Sequence, residues 1–172
     1  MAGSLVKIDE EIVTSAVSST FLQGIDTTYD VYVVTVNNLK VTTDNTSCHI
    51  RVGNSGTDDS TSNYDYAYKV LDASTTFGNS SSTNQTQFGG LANLDNLAGA
   101  NANAVFYLFN WANSSEYSFI TQEISRLVFT GVLYGHQGGG VHTVTQSNSE
   151  IHFVMSSSTI ASAEFTLYGL KK

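Results

Sequence analysis

Short runs in which apolar and polar residues alternate recur from one end of this chain to the other, and helical periodicity is almost absent. Alternation with a period of two is what a strand shows when one face is buried and the other wet, because successive side chains point to opposite sides. Such runs fall at 30–36, 47–52, 64–70, 104–111, 117–124, 126–134, 141–146, 151–156 and 163–170. Most are bounded by the Gly, Asn, Asp and Ser clusters that make turns. The pattern predicts roughly nine or ten strands with no interleaved helices, which is the signature of an all-β antiparallel sandwich.

Two stretches break the alternation. Residues 53–63 and 73–90, rich in Gly, Ser, Thr and Asn, read as long surface loops. Leu91, Leu94 and Leu97 stand three apart, a spacing that suits one or two helical turns or a loop lying over the core. No linker or repeat divides the chain, so residues 1–172 are expected as a single domain. With no proline in the sequence, exposed sheet edges must be protected by loops, charges or another subunit.

Hydrophobic residues make up 41% of the chain, enough for a proper core, while charged residues reach only 13%, about half of the usual ~25%. Polarity comes instead from Ser, Thr and Asn, roughly a third of all residues against a typical Glu- and Lys-rich surface. A hydroxyl- and amide-rich surface suits a virion coat or a sugar-binding face better than a cytosolic enzyme. The net charge of −8, with seven basic residues and no basic patch, argues against nucleic acid as a partner.

The N-terminal residues lack the basic and apolar regions of a signal peptide, and no apolar run is long enough to span a membrane. Synthesis in a cytoplasm without membrane insertion is therefore expected. Cys48 is the single cysteine, which rules out an internal disulfide and reads as a small apolar strand residue. The Asn-x-Ser/Thr triplets at Asn45, Asn79, Asn84 and Asn113 read as chance matches in so Ser/Thr-rich a chain.

None of the reactive groupings makes a catalytic pattern. Asp9-Glu10-Glu11 and Asp58-Asp59 read as solvated turns, and Asp58, Asp59 and Asp65 lack the spacing of a calcium loop. His136 and His142 flank HQGGGVH, where a hairpin would bring them together, but His49 and His152 add no metal-binding motif. Cys48 and His49, as strand neighbours, face opposite ways. The triple glycine lacks a phosphate-loop ending and reads as a wide turn or a close approach of backbones. No catalytic residue, metal site or cofactor is expected.

The aromatics carry more weight: nine Tyr, nine Phe and one Trp. Tyr64, Tyr66 and Tyr68 share one face of a strand. Together with Tyr107, Trp111, Tyr117 and Tyr134 they either fill the sandwich or form a subunit interface. Trp111, beside Asn110 and Asn113, is a candidate to stack on a sugar. In the closing FTLYGLKK, Phe165, Leu167 and Gly169 share one face and Thr166, Tyr168 and Leu170 the other. Apolar residues on both faces suggest a strand covered on both sides, which makes Phe165, Leu167 and Tyr168 further interface candidates. Gly169 would let the chain end approach another backbone, and the terminal lysines would discourage edge-on pairing.

Three segments give the chain a resemblance to small β-rich structural proteins of tailed bacteriophages, of the marine and cyanophage type. They are SLVKIDEEIVTSAVSSTFLQGIDTTYDVYVVTVNNL near the start, HIRVGNSGTDDSTSNYDYAY in the middle, and MSSSTIASAEFTLYGLKK at the end. Ser158 stands where that pattern often carries glycine. The resemblance implies a jelly-roll-like sandwich that forms a trimer on the virion surface, as a capsid decoration or head-fibre protein contacting other virion proteins. Residues 1–20 are then a candidate attachment or strand-exchange arm. An alternative with the same resemblance is a tail-fibre or tailspike tip holding host surface carbohydrate, with Trp111, Tyr64, Asp58 and Asp59 as its contacts.

Overall fold

The computed structural model describes residues 4–171, which contain strands and no helix. In chain order the strands are β1 (Ser4–Val13), β2 (Ser19–Gln23), β3 (Val31–Val41), β4 (Thr46–Asn54), β5 (Thr57–Asp58), β6 (Tyr64–Asp72) and β7 (Gly78–Gln85). They continue as β8 (Phe88–Leu94), β9 (Ala102–Phe109), β10 (Ser118–Leu127), β11 (Leu133–His142), β12 (Glu150–Met155) and β13 (Ile160–Lys171). Every pairing between them is antiparallel.

Two sheets pack face to face. The larger runs β1-β13-β3-β9-β10-β11-β6-β7, and the smaller runs β2-β12-β4-β5 with β8 also on β4. Take β1, β2, β3, β4, β8, β9, β12 and β13 as eight strands in sequence. One sheet then has the order first, eighth, third, sixth, and the other second, seventh, fourth, fifth. This is the jelly-roll order. The remaining strands extend it: β10, β11, β6 and β7 prolong the larger sheet beyond β9 as a wing, which β8 crosses on the inner side.

The core lies between the sheets. Tyr32, Val34, Val36, Phe106, Leu108, Phe165 and Leu167 from one face Leu22, Ile50, Val52, Ile151 and Phe153 from the other. Phe153 bridges the layers, with ring centroids 4.5 Å from Phe165 and 6.4 Å from Phe106. The GIDTTYDVY turn has a local cause: the buried Tyr32 hydroxyl donates to the Asp26 carbonyl at 2.6 Å and accepts from the Asp26 N–H at 2.9 Å. Ser158 takes φ +67°, the left-handed conformation for which glycine is the usual residue, and its hydroxyl bonds that of Thr42 at 2.7 Å.

Several stretches differ from the sequence reading. Residues 73–90 are mostly strand: β7, expected as loop, carries no apolar residue because it is the free edge of the wing and contributes nothing to the core. Leu91 and Leu94 belong to a strand, and the positive φ of Asn93 breaks its alternation and lets both turn inward. The run 126–134 is not one strand but a hairpin, turned at Gly131 with φ +75°. HQGGGVH lies inside β11 rather than in a turn. Within the candidate arm 1–20, residues 1–3 lie outside the described residues and residues 4–13 form the edge strand β1, paired with β13. Beside Gly169 lies the ring of Tyr29 rather than another backbone.

Candidate functional site

Neighbouring strands align side chains in rows across the outer face of the larger sheet. Phe119, Phe109 and Val31 form one row, and Tyr107, Val33 and Tyr168 the next. Phe119 is 44% exposed and Tyr107 40%, because these residues occupy the solvent side of strands whose other side is core. Towards the wing the band opens into a groove of about 860 Å³ between Phe119 and the serines of β7, floored by Gly139. A second hollow of about 340 Å³ follows at Leu71, Phe77 and Leu133, all exposed. Single exposed apolar residues are ordinary, but a contiguous apolar band is the mark of a contact surface.

The smaller sheet carries a different kind of site on its outer face. Cross-strand pairing sets Phe21, His152 and Arg51 in one row, with His152 in the middle, and Gln23, Glu150 and Gly53 in the next. Glu150 is buried. Both of its carboxylate oxygens lie 2.9 Å from the Gly56 N–H, and Oε2 lies 2.9 Å from Nε2 of His152. The His152 ring is buried over Gly53, where a side chain would collide with it. Its other side stacks on Phe21, with centroids 4.9 Å apart and planes 14° from parallel. Asp9, Glu11, Gln23 and Asp58 border the resulting depression of about 410 Å³. Arg51 is tied up there by Asp58 Oδ2 at 2.6 Å and by the Thr86 carbonyl at 3.0 Å.

The sequence-derived candidates scatter across the molecule. Phe165 and Leu167 are wholly buried between the sheets and are core, not interface; only Tyr168, half-buried, faces outward. Tyr64 is also wholly buried, edge-on to Phe88 at 4.8 Å, with its hydroxyl donated to the Asp59 carbonyl. It can serve neither as an interface residue nor as a sugar contact. Tyr66 and Tyr68 stack on each other at 5.5 Å, and Tyr68 stacks on His136 at 4.5 Å. They share Tyr64's face as expected, but that face lies under β8, with Gly89 against both rings.

Trp111, 1% exposed, cannot stack on a sugar. Its indole N–H donates to the Glu150 carbonyl at 3.0 Å and so braces the depression from beneath. Asp58 does border that depression, whereas Asp59 turns away to Nε2 of the buried His142, 2.9 Å distant. Burial works to raise the Asp59 pKa, but the Thr61 hydroxyl and N–H and the His142 ring outweigh it and hold the carboxyl below its usual value. Asp65 accepts instead from the Asn84 N–H, so the three aspartates do not converge. His136 and His142, both on β11 and six residues apart, are separated by about 20 Å of extended strand. Among the described residues no three His, Cys, Asp or Glu side chains are grouped to hold a metal ion.

Sequence reasoning missed Phe119 as a surface residue and Phe21, Gln23 and Glu150 altogether, and weighed His152 only as a metal ligand. The chain matches no protein-family model, no curated protein and no solved structure.

Proposed function

We propose that this chain is a structural protein of a bacteriophage virion, displayed on the particle surface as a capsid decoration or head-fibre protein. It assembles as a homotrimer through the outer face of its larger sheet and, so assembled, docks on other virion proteins. The observation that carries this reading is the apolar band there, with Phe119 and Tyr107 exposed beside Phe109, Val31 and Val33. Tyr and Phe at such positions bury large areas at low entropic loss when a partner covers them. The jelly-roll order, which recurs in viral capsid and lectin domains, and the resemblance of the three segments support it. Because a fold does not fix a function, the assignment rests on the surface and the resemblance together. The net charge of −8 suits contact with protein rather than nucleic acid.

Immunogold labelling of phage particles with an antibody against the chain tests the proposal. Gold on the head surface is expected, and a virion that carries no label on any structure overturns it.

A further inference from the structure

We infer that the depression beside Phe21 binds a neutral sugar ring, such as a hexose of a surface polysaccharide. One face of the Phe21 ring lies on His152, and the residue keeps 38% of its surface exposed where it lines the depression. The platform is rigid. His152 cannot slide aside, because Glu150 holds its edge, Gly53 lies beneath it, and the Gly56 N–H and the Trp111 indole anchor Glu150 in turn. A fixed aromatic face, electron-rich at its centre, is what the C–H face of a pyranose packs against.

The surroundings supply the polar half of such a site. Asp9 already accepts the N–H groups of Glu10 and Gln23, and Asp58 accepts Arg51 through Oδ2. Those bonds fix the carboxylates in place and leave lone pairs for hydroxyl donors. Glu11 and the Gln23 side chain complete the rim, and about 410 Å³ lies within the range of small-molecule sites.

Charge selects the class of ligand. Asp9, Glu11 and Asp58 repel an anionic sugar or phosphate, and Arg51, next to the depression, is engaged with Asp58. A metal ion would need oxygens converging on a point, whereas the structure offers a flat ring edged by separated acceptors. A neutral polyol satisfies both halves. The inference does not depend on the chain being a virion protein, so particle labelling and sugar binding succeed or fail separately.

The test titrates the isotopically labelled full chain with neutral hexaoses of glucose (α- and β-linked), mannose and galactose, following amide shifts by NMR. A hexagalacturonate and calcium chloride serve as charged probes. At least one neutral hexaose is expected to saturate with shifts confined to β2, β12 and the β4–β5 turn. Phe21→Ala is expected to weaken it by at least about tenfold, Phe21→Trp to tighten it, and Leu97→Ala, an exposed position outside the depression, to leave it unchanged. The inference is overturned if no neutral hexaose saturates at millimolar concentration, if the shifts map elsewhere, or if a charged probe binds more tightly. Should Phe21→Ala not fold, Phe21→Trp and Gln23→Ala decide: affinity unchanged in both overturns the site.

Discussion

Replacing Gly138 with alanine tests whether the glycines of β11 serve close strand approach. Gly138 sits in mid-strand between Gln122 and Tyr68. A Cβ there would collide with the Ala67 carbonyl oxygen and stand 2.5 Å from both Cα and Cβ of Tyr68. All three atoms belong to the backbone or are fixed directly to it, so no side-chain rotation relieves the overlap. Overpacking of this kind costs about 1–3 kcal/mol, and the lower entropy of an unfolded chain with Ala in place of Gly offsets about 0.4–1 kcal/mol. At mid-range the net expectation is a loss of about 1.3 kcal/mol, or roughly 3–5 °C in Tm for a domain of this size. Gly78→Ala in β7 is the control: its nearest neighbour is Val70 Cβ at 3.8 Å, and only the favourable entropic effect remains. Urea unfolding followed by the fluorescence of the buried Trp111 measures both. If Gly138→Ala is as stable as Gly78→Ala, close approach is not what the glycine run provides.

Stability should also fall in mild acid. Burial, and then the Arg126 guanidinium, pull the His136 pKa down to about 3. Below the unfolded value near 6.5 the unfolded ring takes a proton that the folded ring refuses. Stability is therefore lost as pH drops from about 6.5 toward 3, by at most about 1.4 kcal/mol per pH unit. His142, lowered mainly by burial, acts in the same direction. His136→Gln should flatten the pH dependence of the urea midpoint, and an unchanged slope would refute the assignment. The Cys48 thiol, buried and pushed up to about 12, should resist a disulfide reagent at pH 8 until urea is added; prompt labelling of the folded chain contradicts that burial. The double variant Tyr107→Lys, Phe119→Lys should shift an assembled chain to monomers in light scattering. The stability of the monomer itself should change by no more than about 0.5 kcal/mol, since both side chains are already exposed. Assembly that persists in the variant removes this face as the contact surface.

Alternation located most of the strands because most have one face in the core: β10 reads buried–exposed at nearly every step from Ser118 to Arg126. It failed where that condition fails. β7 has no core face, so GNSSSTNQ shows no apolar period and looks like a loop. β13 lies between two neighbours, and Phe165, Thr166 and Leu167 are all buried, so the sequence says both faces are covered without saying by what. The inner cover is the sandwich itself, which removes Phe165 and Leu167 from any subunit contact. Period two also groups Tyr64, Tyr66 and Tyr68 correctly, yet it cannot tell that β8 will cross beneath them.

The depression was illegible for a related reason. On β12 the residues Glu150, His152 and Val154 alternate with Ile151, Phe153 and Met155, which makes Glu150 and His152 look like ordinary solvent-facing positions. Both are nearly inaccessible all the same. What covers them comes from elsewhere in the chain: Phe21 from β2 lies on His152, and Gly56 in the β4–β5 turn reaches over Glu150. A polar residue that period two assigns to the outside but the fold buries has lost its water and must be held by the protein. Glu150 and His152 meet that requirement by holding each other, and in doing so they fix the ring that remains exposed above them. A buried acid and imidazole on the outer face of a sheet contribute little to the core, so their placement makes better sense as support for Phe21. Exchanging His152 for leucine should then preserve the fold while loosening the Phe21 ring, seen as averaged aromatic proton shifts. A ring that stays fixed in that variant means the pair supports something other than Phe21.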